Sequence, residues 1–366
     1  MFRIGTIGGI ERYILEVATH LAQRGHDVTF YGPRKDFHAL PSGTRGVPVG
    51  QGRTLNNVSG ALDLVTFGAR ASAKVWRRQR RAICYGPQGS VLVPGVITAM
   101  SVHAQWVRDR IDALGGPPPS AFDRALMVAE RLSYRLPYLR VTALSPLCAD
   151  DITRCYGVDR SAITVVTHAI DPDQFRQHDD AEREAARHAV GVADDRFVIG
   201  TVANHAFERK RVDSAIRACA GRRDRTLLVA GVEDRNLGRY EQLAQDVGAD
   251  VRFLGLVTSM PAFYAALDVF TLPSINEAYG MAIHEAMGCG VAAVASERCG
   301  VAHLFDAGTE GIVVDHRSDE ALAAAFDELE DDQTRARIAA AGLRWAHRRT
   351  WEDAGREIEA VLAEGR

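Results

Sequence analysis

The most informative stretch of this chain is SINEAYGMAIHEAMGCGV, residues 274–291. Two short apolar runs lie on either side of it, at 269–272 and 291–294, and are typical of strands buried on both faces of a parallel sheet. Between them, Gly280–Met287 is predicted to form a short helix. The stretch therefore indicates a strand–helix–strand unit of an α/β fold.

Two glutamates in this unit, Glu277 and Glu285, are candidate ligand-binding residues. Glu277 is expected in the loop at the carboxyl end of a strand, and Glu285 about one turn into the helix. Open α/β sheets bind ligands at that edge, where a helix N-terminus offers free N–H groups to an anion such as a diphosphate. A ligand that joins a sugar, a diphosphate and a ribose matches this order, with the sugar near Glu277, the diphosphate at the helix N-terminus and the ribose near Glu285. Acids near a helix start also occur simply because they stabilise the positive end of the helix dipole, so other features must decide whether these two bind a ligand.

The bulk composition describes an ordinary globular protein, and its 366 residues favour two domains. A net charge of −3 gives no support for nucleic acid as a partner. No apolar run approaches the roughly 20 residues that span a bilayer, and the N-terminus lacks a signal-peptide pattern. The six cysteines have no zinc-type spacing, so we expect reduced thiols and a cytoplasmic protein.

Strand-like and helix-like segments alternate through most of the chain, which predicts βαβ units and parallel sheets. The first helix is expected to begin near Ile10 and to end before Gly25, because apolar residues recur there at helical spacing. Strands are predicted at 28–31, 83–85, 141–144, 197–203, 226–230, 251–254, 269–273, 291–295 and 311–314.

A polar, charged segment at 171–196 is interpreted as an interdomain linker that contains one short helix. It separates a predicted first domain, 1–170, from a predicted second domain, 197–350. The last segment, 351–366, has apolar positions at helical spacing and is predicted to pack on either domain, with the first as the expected one.

Two further segments have the chemistry of anion sites. Gly8 and Gly9 precede the first helix, where the backbone can approach a ligand closely, although a tight turn explains them equally well. Arg209 and Lys210 follow the strand predicted at 197–203 and suit a phosphate group. Lys210 is one of only three lysines in an arginine-rich chain, which favours a function over a solvated basic loop.

Three other segments have competing interpretations. His103 ends an apolar run and suits hydroxyl binding or acid–base chemistry, but a buried structural histidine is the commoner outcome. Asp171-Pro172-Asp173 matches a DxD metal motif but is interpreted as a turn, so no metal is predicted. The basic segment 74–81 is interpreted as a solvated helix end, with contact to an anionic membrane surface as the alternative.

Taken together, these motifs resemble retaining glycosyltransferases of family 4, which have the GT-B fold. Within that family the chain looks most similar to lipopolysaccharide core glucosyltransferases that use UDP-glucose, on the segments CGVAH (299–303) and RKRVDSAI (209–216). The resemblance rests on GGIERYILEVATHLAQRGHDV (8–28), LSPLCADDITRCYGVDRSAITVVTHAIDPDQF (144–175), ERKRVDSAI (208–216) and NEAYGMAIHEAMGCGVAAVAS (276–296).

The resemblance implies two Rossmann-like domains that face a central cleft, with the C-terminal helix crossing back to the first domain. Arg209 and Lys210 would neutralise the leaving diphosphate, and His103 would meet the 6-hydroxyl of the donor sugar. Other implied contacts are Glu277 to the sugar, Glu285 to the ribose hydroxyls, Gly8 and Gly9 to the diphosphate, and the backbone of Ala278, Tyr279, Gly280 and Met281 to sugar and phosphate.

The sequence departs from the family pattern in two places. Only seven residues precede Gly8, about half the usual number, and His168-Ala169 replaces the usual Asn-Gly near the hinge. The second change puts the loop conformation in doubt, because Gly tolerates a positive φ and Ala does not.

The resulting prediction is a metal-independent retaining hexosyltransferase that needs no cofactor beyond its substrate, a nucleotide-diphosphate sugar such as UDP-glucose. The acceptor would be a hydroxyl of a glycan or a small molecule, and a peripheral contact with the inner face of the plasma membrane stays an alternative to a fully cytoplasmic protein. Two other functions stay open: a GT-B sugar-nucleotide epimerase, and a non-catalytic protein that binds sugar nucleotides.

Overall fold

The computed structural model describes residues 9–32, 37, 40–49, 70–76, 83–87, 95–135, 140–204, 206–231 and 237–364. The chain divides into two compact units, each built on parallel sheets. The first unit contains Met1–Ile111, Gly115–His168 and Trp351–Arg366, and the second contains Asp112–Leu114 and Ala169–Thr350.

The first unit has a two-stranded parallel sheet, β1–β2, and a four-stranded parallel sheet in the order β3-β4-β5-β6. Its central strands β4 and β5 are almost fully buried, as expected of strands covered on both faces. The elements are α1 (Gly9–Gln23), β1 (Thr29–Gly32), β2 (Arg45–Pro48), α2 (70–76), β3 (Cys84–Pro87), β4 (Gly95–Ala99), α3 (His103–Leu114), α4 (Ala121–Ser133), β5 (Arg140–Ala143), α5 (Pro146–Tyr156), a 3₁₀ turn (Arg160–Ala162), β6 (Ile163–Val165) and, after the second unit, α13 (Trp351–Ala363).

The C-terminal helix α13 packs against α1 within the first unit. The Glu359 carboxylate lies 2.7 Å from His26 Nε2 and 3.4 Å from Arg24 Nε, so a polar cluster at the end of α1 joins the two helices. Tyr13 on α1 also packs edge-on against Trp351 at a ring-centroid distance of 6.1 Å. Residues 351–366 are therefore part of the first unit's own structure.

The replacement of Asn-Gly by His168-Ala169 does not strain the backbone. Among the described residues, Arg211 is the non-glycine residue with a positive φ, so Ala169 avoids the left-handed region. Both side chains are buried, and the His168 ring packs edge-on against Tyr13 at 4.9 Å. The doubt raised by the sequence is resolved, because this connection does not need the freedom of glycine.

The second unit is built on a six-stranded parallel sheet in the order β12-β11-β10-β7-β8-β9. Strands β8, β10 and β11 are buried along their whole length, which explains their uninterrupted apolar sequences. The elements are α6 (Asp180–Ala189), β7 (Phe197–Val202), α7 (Val212–Ala218), β8 (Arg225–Ala230), α8 (Leu237–Val247), β9 (Val251–Gly255), α9 (Met260–Ala265), β10 (Val269–Leu272), α10 (Met281–Gly288), β11 (Ala292–Ser296), a 3₁₀ turn (Gly300–His303), β12 (Ile312–Val314), α11 (Asp319–Leu329) and α12 (Asp332–Ala346).

The segment 171–196 is not a linker, which corrects the sequence-based interpretation. It belongs to the second unit, and its helix α6 packs on α9. Arg183 and Arg187 each donate to the Asp268 carboxylate at 2.7 Å, and Arg187 is fully buried. The high charge of this segment suggested a linker, but part of that charge is neutralised by Asp268, a buried acid in the turn between α9 and β10.

The predicted strands of the second unit lie within one residue of the observed ones. The predicted helix 280–287 is observed at Met281–Gly288. In the first unit the sequence missed β2, β4 and β6, which contain only 4, 5 and 3 residues. β2 is mostly exposed and therefore lacks an apolar run, but length alone does not explain the other two, because β12 was predicted with only 3 residues.

Candidate functional site

Three neighbouring parallel strands of the second unit, β7, β10 and β11, end at one edge of the sheet. The loops that follow them are joined by backbone hydrogen bonds. Ile275 N donates to the Arg209 carbonyl at 2.9 Å, and Glu277 N donates to the Arg298 carbonyl at 3.0 Å. Gly300 N returns a bond to the Glu277 carbonyl at 2.9 Å. The fold thus brings together the cationic turn after β7 and the glutamate loop after β10, which lie far apart in sequence.

Lys210 and Glu277 form an ion pair in this group of loops. Lys210 Nζ lies 3.5 Å from Glu277 Oε2, and the two side chains are only 13% and 18% exposed. Burial raises the pKa of Glu277, but the charges of Lys210 and then Arg209 outweigh it and hold the pKa below its usual value. The site therefore keeps an ionised carboxylate beside two cations, a set that can meet both the hydroxyls and the phosphates of a ligand.

The backbone of the cationic turn adopts an unusual conformation at Arg211, a residue whose role the sequence did not indicate. Arg211 has φ +52° and ψ +46°, a left-handed conformation that is costly for a residue with a side chain. Its buried guanidinium donates to the His316 carbonyl at 2.6 Å and to Asp319 Oδ1 at 3.0 Å. These bonds hold the turn that carries Arg209 and Lys210. Nothing in the sequence pattern signals a positive φ at an arginine.

Arg211 gives a direct test of this backbone geometry. Both Arg211→Gly and Arg211→Ala lose the guanidinium bonds, but only glycine accepts φ +52° without strain. We expect the glycine variant to be more stable than the alanine variant by about 1 kcal/mol in urea unfolding. An alanine variant that is as stable as the glycine variant would contradict a strained backbone at this position.

The helix start after β10 is shaped by Gly280, which has φ +99° and precedes α10 without a side-chain cap. A Cβ there would make an ordinary contact with Val301 Cγ1 at 3.4 Å, so the positive φ, and not a lack of space, makes this position unsuited to other residues. Ala278, Gly280 and Met281 surround this helix start, as the sequence indicated. Their proposed contact with sugar and phosphate stays a prediction.

Tyr279 differs from its neighbours because its side chain is turned into the protein. Its hydroxyl donates to His284 Nδ1 at 2.8 Å, and His284 Nε2 donates to the Ala346 carbonyl at 2.9 Å. Burial lowers the pKa of His284 to about 4, so the ring is neutral at pH 7. A neutral ring that donates through Nε2 must accept through Nδ1, which assigns the tautomer. Tyr279 and His284 therefore anchor α10 to α12, so the Tyr279 phenol is engaged inside the protein.

Glu285 lies on α10 and is partly buried. Tyr264 donates its hydroxyl to Glu285 Oε2 at 3.0 Å. Burial and the neighbouring carboxylate raise the pKa of Tyr264, so the phenol keeps its proton and remains a donor. This bond orients the Glu285 carboxylate, and its proposed contact with ribose stays a prediction.

His103 and Gly9 belong to the first unit. His103 begins α3, its backbone N–H donates to the Glu130 carboxylate at 3.0 Å, and its Nε2 lies 3.0 Å from Asp123 Oδ1. Burial raises the pKa of Asp123, but hydrogen bonds from Ser120 and His103 outweigh it and lower the pKa to about 2. An ionised carboxylate only accepts, so His103 Nε2 carries a proton. Gly9 is the first residue of α1, and Gly8 lies outside the described residues.

Three other places in the chain have the composition of a metal or anion site: Asp171-Pro172-Asp173, the basic segment 74–81, and a cluster around His316. Asp173 N donates to Asp171 Oδ1 at 3.0 Å, which is the turn interpretation of Asp-Pro-Asp. Of the basic segment 74–81, residues 77–81 lie outside the described residues. Glu297, Asp315 and His316 have ligand-type atoms within 4.8 Å of one another, but His316 is hydrogen-bonded to Glu297 through both its ring and its backbone. This contact joins the loops after β11 and β12.

The cysteine thiols and the lengths of the helices bear on redox chemistry and on membrane insertion. All six cysteines are free thiols, and burial raises the pKa of Cys148 and Cys299 to about 12. These thiols therefore stay protonated at pH 7. Within the described ranges, none of the helices has both the length and the apolar character needed to cross a bilayer.

Comparison with known proteins covers both halves of the chain. Residues 7–174 match the family described as Glycosyltransferase Family 4, and residues 182–345 match Glycosyl transferases group 1. A D-inositol 3-phosphate glycosyltransferase of Nocardia farcinica is 28% identical over 94% of this chain and 83% of its own length. That of Corynebacterium kroppenstedtii is 30% identical over 58% of this chain, which spans about half of that relative (50%).

Two solved structures have the same fold over nearly the whole chain. WaaG, a glycosyltransferase involved in lipopolysaccharide biosynthesis, gives a TM-score of 0.78 at 21% identity, covering 99% of this chain and 98% of WaaG. Anabaena HepE in complex with UDP and glucose gives 0.77 at 20% identity, covering 99% and 98%. At this identity the likeness establishes the GT-B fold alone. With the two family matches, it places the chain among the GT-B glycosyltransferases, with a family 4 first half and a group 1 second half.

Proposed function

We propose that this protein is a retaining glycosyltransferase that moves a hexose from a nucleotide-diphosphate sugar to a hydroxyl of its acceptor. The ion pair between Lys210 and Glu277 carries this proposal. The pair sets an amine cation beside a carboxylate at the sheet edge where α/β folds bind their ligands, which supports the proposal of a cation for the leaving diphosphate and a carboxylate for the sugar. The family membership supports the same reaction class.

The proposed chemistry is charge stabilisation and positioning. As the bond between sugar and diphosphate breaks, negative charge grows on the β-phosphate, and Arg209 and Lys210 are preorganised to stabilise it. The departing phosphate oxygen helps to deprotonate the acceptor hydroxyl on the same face of the sugar, so configuration is retained without a protein nucleophile. Two side-chain cations supply the charge compensation that a metal gives in other enzymes, which is why we propose a metal-independent reaction.

The remaining roles follow the order of groups in the donor. Glu277 would accept hydrogen bonds from the sugar hydroxyls, and Glu285 would hold the ribose in the orientation set by Tyr264. The backbone around Gly280 would contact the diphosphate, together with Gly8 and Gly9 of the first unit. His103, with its Nε2 proton held by Asp123, would meet the 6-hydroxyl of the sugar.

The donor is proposed to be a UDP-hexose such as UDP-glucose. HepE, which has the same fold, has been solved with UDP and glucose and with UDP-glucose, and this supports a UDP-sugar. The curated relatives are glycosyltransferases of D-inositol 3-phosphate, whereas WaaG is involved in lipopolysaccharide biosynthesis. The relatives therefore support a hydroxyl acceptor and do not favour one acceptor class. A cytoplasmic location stays a prediction from the free thiols.

A donor panel tests the proposal. UDP-glucose, UDP-galactose, UDP-N-acetylglucosamine, GDP-mannose and ADP-glucose would be compared by thermal shift and by slow release of the nucleotide in the absence of acceptor. We expect one UDP-hexose to raise the melting temperature most and to release UDP. Conversion of the donor to an epimer, followed by NMR without acceptor, would favour the epimerase. Binding with neither transfer nor hydrolysis would favour a non-catalytic binding protein.

A further inference from the structure

A cavity of about 520 Å³ lies at the edge of the six-stranded sheet opposite to the candidate functional site. The loops that lead into β7, β8 and β9 form it, since parallel strands begin at one edge of a sheet and end at the other. Its volume is typical of sites for small molecules. Four of its nine lining residues are arginines and one is an acid, and the other four are glycine or alanine. The charged residues are Arg196, Arg222, Arg223, Arg252 and Asp250, and we call this site the arginine cavity.

Two of the four arginines are paired with acids. Arg196 Nη2 donates to Asp250 Oδ2 at 3.0 Å, so the acid in the lining is already neutralised. Arg222 Nη2 bonds the Asp327 carboxylate and lies 3.5 Å from Glu330 Oε2. An anion that enters the arginine cavity therefore meets no unpaired carboxylate of its lining.

Arg223 and Arg252 have no acid partner among the described residues. Arg223 is exposed and forms no hydrogen bond or ion pair with any of them. Arg252 Nη1 donates to the Val190 carbonyl at 2.9 Å and to the Gly191 carbonyl, whereas its Nε and Nη2 make no bond within the described ranges. A Cβ at Gly191 would lie 3.1 Å from Arg252 Nη1, so glycine lets this guanidinium pack close to the backbone. Two positive charges are thus left without a counter-charge at one cavity.

A purely structural role accounts for only part of this arrangement. Helices end at this edge with free carbonyls and a negative dipole end, which would repel an anion. Arg252 offsets this at α6, because Val190 is the C-cap of that helix. Arg196 likewise donates to the Arg225 carbonyl at 2.6 Å. Neither role uses Arg223 or the rest of the Arg252 guanidinium, so donors remain for a ligand.

We propose that the arginine cavity binds a small phosphorylated compound, at a site separate from the sheet edge that carries Lys210. A guanidinium forms paired hydrogen bonds with phosphate oxygens, and two guanidiniums without counter-charges suit a ligand with at least two negative charges. Among the described residues, no aromatic or large apolar side chain lines the cavity, so its lining offers no platform for a nucleobase and no contact for an acyl chain. Pyrophosphate and sugar phosphates have the required chemistry. The proposal does not depend on glycosyl transfer.

Isothermal titration calorimetry of the full chain with pyrophosphate tests the proposal. Because the turn that carries Lys210 also suits phosphate, every protein in the titration carries Lys210→Ala. We expect Arg223→Gln and Arg252→Gln each to weaken binding roughly tenfold, the effect of losing one hydrogen bond between charged groups. Arg252→Lys should weaken binding less than Arg252→Gln, because lysine keeps the charge but loses the paired donors. Added salt should weaken binding to the parent protein.

Glucose 6-phosphate, glucose and ADP test the chemical class of the ligand in the same titration. We expect glucose 6-phosphate to bind and glucose not to bind, because the phosphate supplies the contacts. ADP should bind no tighter than pyrophosphate, since its base has nothing to stack on. The tighter of pyrophosphate and glucose 6-phosphate shows whether the cavity takes a free phosphate or a sugar phosphate. Equal binding of glucose and glucose 6-phosphate would contradict a phosphate site.

Arg344→Gln is the matched control, since Arg344 is an exposed arginine of the second unit that forms no bond with a described residue. It should bind pyrophosphate like the parent protein. Melting temperatures should show that each variant is folded, and Arg223→Gln decides the outcome if Arg252→Gln is unstable. Absence of pyrophosphate binding by the parent, or equal binding by the parent and Arg223→Gln, would overturn the proposal.

Discussion

Replacing Lys210 by alanine should lower kcat/KM for UDP release from the donor about 10²–10³-fold, the range found when one preorganised electrostatic donor is removed. The side chain is largely buried and already aimed into the site by Glu277, so little reorganisation is needed when charge develops on the diphosphate. Steady-state UDP release with the donor identified in the panel measures the effect.

The Lys210 experiment has a matched control and a second readout. Lys74→Ala removes an exposed lysine of the first unit and should leave kcat/KM unchanged. In the wild type, the charges of Lys210 and Arg209 lower the pKa of Glu277 against the effect of burial. In Lys210→Ala only the Arg209 charge remains of these two, so the pKa of Glu277 should rise. The acid limb of the kcat/KM profile should then move to higher pH. Equal kcat/KM in the Lys210 variant and the wild type would refute the role of this lysine.

Replacing Glu277 by glutamine should lower kcat/KM about 10²-fold, because the side chain keeps its shape but loses the charge that orients Lys210 and that, in the proposed role, accepts from the sugar. Glu330→Gln is the matched control, since Glu330 also forms an ion pair, with Arg225 at the start of β8. Its kcat/KM should equal that of the wild type. If Glu277→Gln and Glu330→Gln are equally active, Glu277 has no part in the reaction.

The free energy of unfolding should depend on pH through the ionisation of Glu277. Glu277 has a pKa below its usual value of 4.5 in the folded protein, so its ionised form stabilises the fold. That contribution is fully present above the unfolded pKa and is lost as pH falls through the lowered folded pKa. The difference in stability between wild type and Glu277→Gln should therefore narrow below about pH 4.5 in urea unfolding.

Combining Lys210→Ala with Glu277→Gln tests whether the two residues act as a unit. Side chains in direct contact should give losses in kcat/KM that do not add, because each single change already disables part of the other's role. Fully additive losses would mean that the two residues act on separate parts of the donor.

Much of the second unit could be predicted from the sequence because its central strands β8, β10 and β11 are fully buried and form uninterrupted apolar runs. The same apolar runs located the carboxyl ends of β7 and β10, and with them Lys210 and Glu277. The left-handed Arg211 could not be found, since its conformation depends on bonds to His316 and Asp319, about a hundred residues away. Charge alone misled at 171–196, where partners supplied by α9 and its neighbours make a charged helix part of the core.

The direction of the Tyr279 side chain at the start of α10 also depends on residues far away in the sequence. The sequence suggested Tyr279 as a donor-binding residue, whereas the structure turns its phenol into the protein, where it bonds His284. Which way a side chain turns depends on Ala346, a partner on α12 that local sequence does not reveal. Residue positions along the chain were therefore easier to predict than the direction of each side chain.

The packing of α13 on α1 sets the order in which the two units can finish folding during synthesis of the chain. The second unit is almost continuous in sequence, whereas the first needs residues on both sides of it. A ribosome must therefore make all of the second unit before it supplies Trp351 and Glu359 to their partners on α1. Since domains fold as units during translation, the second unit is expected to be native while the first still awaits its last helix.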